Sequence, residues 1–196
     1  MDRHAPDEQE GIGIATYVIL LRAVNLAGRG KLSMAEFRQM LAGLGFANVA
    51  TYIQSGNAVV DAKGPAAKVA QAVATGLEKM MGASAGVVVR THEQMERVIQ
   101  ENPFAREAAA DGSKVHVAFL AGSPGPEAAA GLERIVLQNP QRRDRYHLAG
   151  DNIYLHLPDG AADTRFTGKA LDRAVGVMGT GRNWNTVVKL CEMSKR

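Results

Sequence analysis

Two short polar clusters near opposite ends of the chain carry the residue types that could do chemistry. Gln54-Ser55-Gly56-Asn57 interrupts a strand-like run, and Gly181-Arg182-Asn183 stands before the last apolar helix. An arginine before a helix start can grip a phosphate or carboxylate with two parallel hydrogen bonds, helped by free backbone N–H groups. Ser55, Gly56 and Asn57 would add a hydroxyl, an approachable backbone and an amide. Arg22 and Asn25, at or just past the end of the first strand, extend the set. Arg22, Asn25, Ser55, Gly56, Asn57, Arg182 and Asn183 are therefore the candidate ligand-binding residues, and the ligand they suit is a small anion, one bearing a phosphate included. Each also has a purely structural use. Ser-Gly is ordinary hairpin chemistry, and Asn183 can cap the helix that follows.

Other chemistry has thinner support. His147 and His156 fall on one face of a hairpin turning at Gly150-Asp151, and His116 is expected on the same sheet face; three imidazoles can bind zinc. No cysteine or carboxylate set completes a shell, so no metal or other cofactor is assigned. Cys191 lies on the apolar stripe of the last helix with Trp184, Val187 and Val188, which suits a buried thiol rather than a nucleophile. Gly28-Arg29-Gly30-Lys31 lacks P-loop spacing, and no Gly-x-Ser-x-Gly elbow is present. The catalytic residues, if there are any, are not named by a motif.

These groups must be held by the elements around them. Tyr17–Val24 is strand-like. Ser33 with Glu36 forms a capping box before Met34, Phe37, Leu41 and Leu44, and Gly45 suits the left-handed position after the helix. Strands are expected at 49–54 and 57–60. Gly64-Pro65 opens a helix with Val69, Val73, Leu77 and Met80 on its stripe. A strand at 86–90 and a helix capped by Thr91 and Gln94 follow. The order then restarts: a strand at 114–120, a helix after Pro126, the 145–148 and 152–157 hairpin, a helix over 169–177, an uncertain last strand, and a helix over 184–193. The expected fold is α+β: two split-βαβ, ferredoxin-like units in tandem, with antiparallel sheets and a C-terminal helix. Residues 1–15 read as a flexible tail, 16–101 as the first unit with a trailing helix, 102–113 as a connection, and 114–196 as the second unit.

Alternation along the first strand places Tyr17, Ile19, Leu21 and Ala23 on one face and Val18, Leu20, Arg22 and Val24 on the other. Both faces are largely apolar, so both should be covered, the second by the other unit or by a second chain as a homo-oligomer. Arg22 would then lie near a covered interface and need a partner.

Bulk properties narrow the class. The 196 residues are 46% apolar with a net charge of +3 and pI of about 9.1. No stretch has the apolar length of a membrane span or the layout of a signal peptide. A single cysteine excludes an internal disulfide and fits a reduced, cytoplasmic setting. The basic excess lies in the second half, densest at Arg142-Arg143-Asp144-Arg145. Nucleic-acid binding through that surface is an alternative function, weakened by the lack of aromatics on Asn57–Val60 for base stacking. A protein–protein assembly module is another.

Leu20–Gly28 (LLRAVNLAG), Met34–Phe37 (MAEF), Leu44–Phe46 (LGF), Thr51–Asn57 (TYIQSGN), Asn102–Phe104 (NPF) and Arg182–Val187 (RNWNTV) together resemble the DUF1697 family. The likeness spans about residues 16–193. Ala23 stands where that family often has glycine. The resemblance implies an α+β fold with ferredoxin-like halves. It implies no activity, because the family is one of unknown function.

Overall fold

Local signals set most element boundaries in the computed structural model, which describes residues 13–22 and 32–196. Asn25 and the Gly28–Lys31 segment lie outside the described residues. Strand β1 is Ile14–Arg22. It begins inside the segment expected to be a tail, because Ile14 and Ala15 pair with Lys63 and Ala62. Helix α1 (Met34–Gly43) starts at Ser33, and the reciprocal Ser33–Glu36 capping box is formed. Gly45 takes the expected positive φ of 83°. Strands β2 (Ala47–Tyr52) and β3 (Asn57–Lys63) make a hairpin. Helix α2 (Ala66–Met81) follows Pro65, with Val69, Val73 and Leu77 buried and Met80 left 39% exposed. Strand β4 (Gly86–Thr91) leads into α3 (His92–Gln100), where the Thr91–Gln94 capping box is also formed.

The connection holds a helix that its small, polar residues did not announce. Helix α4 (Ala105–Ala110) buries Ala108, with Phe104 packed into the same core just before it. The second unit is β5 (Val115–Leu120), α5 (Ala128–Leu137), β6 (Arg145–Ala149), β7 (Asn152–His156), α6 (Gly168–Val175) and β8 (Gly179–Asn183), closed by α7 (Trp184–Ser194). The polar cluster Gly181-Arg182-Asn183 is thus the uncertain last strand. Its sequence lacks strand-like alternation, and it is held extended by pairing with β5 from Leu120–Gly179 to His116–Asn183.

Each unit is a four-stranded antiparallel sheet, ordered β2-β3-β1-β4 in the first and β6-β7-β5-β8 in the second. Both orders are those of a split-βαβ, ferredoxin-like unit. Three apolar layers result. Tyr17, Ile19 and Leu21 pack on α1 and α2 through Phe37, Leu41, Val73 and Leu77. Ala118, Leu120, Ile153 and Leu155 pack on α5 and α6 through Leu132, Ile135, Leu171 and Val175. Between the sheets, Val18, Leu20, Val59 and Val88 of the first meet Val117, Phe119 and Tyr154 of the second, with Met95, Val98, Val187 and Leu190 from α3 and α7. The second face of β1 is therefore covered from within the chain. Among the described residues no helix is long and apolar enough to cross a membrane.

Candidate functional site

The two polar clusters meet. Arg182 leaves β8 toward the first unit and is 7% exposed. Its Nε donates to Asn57 Oδ1 at 2.5 Å. Nη1 donates to Thr180 Oγ1 and Gly181 O, both at 2.8 Å. Nη2 donates to Leu21 O at 2.7 Å and Ser55 O at 3.1 Å, with Gly56 O at 3.5 Å. A guanidinium has five N–H donors, and these acceptors occupy all of them. Burial pushes the Arg182 pKa down to about 10, so it remains charged at neutral pH. Backbone and amide dipoles stabilise the charge. Asn57 is fully buried and also donates from Nδ2 to Tyr52 O and Ser55 Oγ. Asn183 caps α7, accepting from the Thr186 amide at 2.9 Å. Arg182 thus ties the end of β1 and the β2–β3 hairpin to the second sheet.

The first unit repeats this device in the opposite direction. Arg90 of β4 donates from Nη2 to Leu120 O at the end of β5 and to Asp151 O in the β6–β7 turn, at 2.8 and 3.2 Å. It also pairs with the Asp151 carboxylate at 2.9 Å and lies over the Phe119 ring. The Leu21 amide bonds Gly56 O at 2.8 Å, and the Leu120 amide bonds Asp151 O at 2.9 Å. Asn57 and Asn152 open β3 and β7 in the same way. The match is partial: Arg182 also holds Thr180 Oγ1 and Ser55 O, where Arg90 holds the Asp151 carboxylate instead. Arg182 Nε reaches Asn57 Oδ1, whereas Arg90 Nε and Asn152 Oδ1 both lack a partner among the described residues.

Arg22, the last residue of β1, finds the partner its position required: Nη1 donates to Asp172 of α6. Asp172 in turn accepts the Gly179 amide at 3.0 Å. The guanidinium crosses the start of α6, where a Cβ on Gly168 would stand 3.0 Å from Arg22 Nη2. Gly168 belongs to the wall of a cavity of about 200 Å³ between β5, β7 and β8 and the segment leading into α6. Leu155, Leu157, Phe166 and Leu171 supply apolar walls. The floor is open because Gly181 has no side chain; a Cβ there would meet nothing within 4 Å. Sequence reasoning did not find this cavity, although a glycine pair spaced by two on a strand, Gly179 and Gly181, is the kind of signal that marks one.

His116 lines the same cavity, and its buried Nδ1 has no partner among the described residues. It does not join the other histidines. Val115 pairs with His156 and His147 with Tyr154, so those two imidazoles face the middle layer, while His116 pairs with Leu155 and faces the opposite side. The one-residue offset between Val115 and His116 reverses the face and corrects the expected histidine trio. No group of three His, Cys, Asp or Glu that could hold a metal occurs among the described residues.

Burial holds the His116 pKa below its ordinary 6.5. The unfolded chain then takes up this proton before the folded one, so stability should fall as pH drops below 6.5. Melting temperatures at pH 7.5, 6.5 and 5.5 should show that fall, and His116→Phe should flatten it in part. Burial and Arg145 lower His156 as well, which accounts for the remainder. Glu107 and Asp159, held below 4.5 and 3.8 by hydrogen bonds from Arg145 and Arg143, act only at lower pH.

The remaining candidates are spent on structure. Arg142 pairs with Asp144 at 2.9 Å, Arg143 with Asp159 at 2.5 Å, and Arg145 with Glu107. Cys191 is buried, and burial raises its pKa. His92 lies between Ser194 Oγ, at 2.9 Å from Nδ1, and Glu96 Oε1, at 3.4 Å from Nε2. That connectivity resembles a Ser-His-acid relay, but Ser194 is 1% exposed and donates to Cys191 O, so no substrate reaches it.

Two tandem ferredoxin-like halves, locked by crossed arginines and leaving a small cavity under α6, define the class of molecule. The model of the family described as "Protein of unknown function (DUF1697)" matches residues 14–154, and the chain belongs to that family. The match ends within β7, before Arg182. A search of curated proteins returned no match. Among solved structures, the conserved bacterial protein SP0830 from Streptococcus pneumoniae is similar at a TM-score of 0.68 and 20% identity, covering 93% of this chain and 100% of that one. That likeness supports the fold alone. A putative chlorite dismutase, TA0507, is 12% identical over 90% of this chain and 98% of its own, at a TM-score of 0.27, from which nothing about this chain follows.

Proposed function

We propose that the protein binds a small anionic ligand in the cavity beneath the start of α6, with Arg22 contacting the acidic group. The observation that carries this reading is that the Arg22 guanidinium lies beside Gly168, 3.0 Å from where a Cβ would stand, and that Gly168 lines a cavity of about 200 Å³. The Gly168 and Lys169 amides lie in the first turn of α6, where N–H groups have no helical acceptor and the helix dipole favours an anion. Asn57 and Arg182 serve as positioning residues, fixing the end of β1 from which Arg22 projects; Ser55, Gly56 and Asn183 shape the same junction. A nucleic-acid role has less support, because each arginine of the 142–145 patch is paired with a carboxylate. The single, buried cysteine fits a cytoplasmic setting.

The test is a thermal-shift series with acetate, butyrate and orthophosphate. A ligand at about ten times its dissociation constant stabilises by about 1.4 kcal/mol, a rise of roughly 3–5 °C for a chain of this size. At least one anion should produce that rise, and Arg22→Gln should remove it. If no anion shifts the transition at 50 mM, ten times a dissociation constant of about 5 mM or roughly 3 kcal/mol of binding, the reading is wrong.

A further inference from the structure

We infer that the cavity beneath α6 is a built site for a small apolar group, the hydrocarbon part of a ligand, and not a flaw in packing. This goes beyond the small-anion reading and does not depend on it. The two units supply the comparison. β1 pairs with β4 through Tyr17–Thr91, Ile19–Val89 and Leu21–Val87, and β5 pairs with β8 through His116–Asn183, Ala118–Gly181 and Leu120–Gly179. The registers correspond, since Thr91 and Asn183 each cap the helix that follows. In the first unit Tyr17, Ile19 and Val89 are buried against α1 and α2, with Val87 packed beside them. In the second unit the same four positions hold His116, Ala118, Gly181 and Gly179, each smaller, and all four line the cavity. Leu155, opposite His116 where Val60 stands opposite Tyr17, takes back only part of that space. Gly179 has a packing reason, because its Cβ would stand 3.0 Å from Leu120 Cδ2. Gly181 has none. Its φ is not positive, and a Cβ on it would meet nothing within 4 Å. A glycine inside a strand weakens it and marks a place where a ligand can come close. The walls around this space include Ala118, Leu155, Leu157, Phe166 and Leu171. An apolar cavity of about 150 Å³ stays dry and takes up benzene or xenon, and this one holds about 200 Å³. Ala161, Thr167 and Gly168 in its wall are exposed, so it is reached from solvent.

The experiment is a titration of the full chain with benzene, followed through the methyl resonances of Leu155, Leu157 and Leu171. These should shift and saturate below the solubility limit of benzene, while those of Leu41 and Leu77 in the core of the first unit stay in place. Gly181→Val and Ala118→Ile each restore a residue of the first unit. Either should remove the shifts and raise the melting temperature by a few degrees, as cavity filling does. Acetate and butyrate then show which ligand carries the apolar group. Butyrate binding about tenfold more tightly than acetate, the gain expected from two buried methylenes, assigns it to the anion proposed above. Benzene binding with no response to any anion assigns it to a neutral ligand, and the small-anion reading alone falls. No saturable shift of the three leucines, or benzene binding unchanged by both variants, overturns the inference. Failure of benzene where acetate or orthophosphate binds overturns it and leaves the small-anion reading in place.

Discussion

Arg182→Met is expected to cost the fold about 3–5 kcal/mol, the range for removing one partner of a buried charged network, measured by urea unfolding of the two chains side by side. The reason is what stays behind. Leu21 O, Ser55 O and Asn57 Oδ1 all accept from Arg182, two of them in buried residues; methionine offers them nothing, and of the two buried ones Leu21 O retains the Thr180 hydroxyl at 3.1 Å. Each acceptor left unsatisfied in a buried site costs about 1–3 kcal/mol, against a total stability of only about 5–15 kcal/mol for a typical domain. Arg182→Lys should recover little, since three donors on one nitrogen cannot span acceptors spread around a planar fork. Arg90→Met is the comparison. The Asp151 carboxylate it leaves is 41% exposed and can be rehydrated, and Arg90 Nε has no partner among the described residues to begin with. Its cost should be about half that of Arg182→Met. A loss under about 1 kcal/mol for Arg182→Met, within the range of an ordinary surface change, would show that the junction does not depend on this side chain.

The two polar clusters were legible in the sequence; that Arg182 and Asn57 meet, and what they do together, was not. Two polar clusters in an otherwise apolar pattern announce themselves, but whether their donors are aimed at a ligand or at each other is decided by long-range packing. The same division runs through the fold. Ser33–Glu36 and Thr91–Gln94 mark helix starts because capping is a contact over three residues, and both boxes are formed. The two apolar faces of β1 correctly required two covers, and the need of Arg22 for a partner followed from that. By contrast β8, with the sequence GTGRN, is a strand only because β5 is beside it. Helix α4 lies in a segment whose alanines carry no amphipathic period, and the face of His116 depends on a register that the hairpin sequence does not contain. The cavity escaped notice for the same reason: its walls come from three strands and a segment entering α6, and its defining features are side chains that are absent.

Gly131→Ala should also damage the fold, on the other side of the molecule from Arg182 and for a steric reason rather than a polar one. Gly131 lies in the middle of α5, where alanine would ordinarily be preferred by about 1 kcal/mol. Here α5 packs directly on the backbone of α6. A Cβ on Gly131 would stand 2.8 Å from Ala174 Cα and 2.9 Å from its carbonyl carbon, with the carbonyl oxygen closer still. Backbone cannot rotate aside as a flexible side chain can, so the helices must separate. Overpacking of this kind costs about 1–3 kcal/mol and occasionally more, enough to reverse the propensity gain and leave a net loss of about 2 kcal/mol. Gly43→Ala, at the end of α1, adds a Cβ that meets nothing within 4 Å and should leave stability unchanged or slightly raised. The contrast between the two substitutions in thermal unfolding separates contact from propensity. It also reaches the site, because α6 carries Gly168 and Leu171 in the cavity wall and Asp172 opposite Arg22. Moving α6 away from α5 shifts all three at once, so Gly131→Ala should weaken any anion binding in a titration run well below its melting temperature. A Gly131→Ala chain with the melting temperature and anion affinity of the unaltered protein would mean that the α5–α6 contact positions nothing in the cavity.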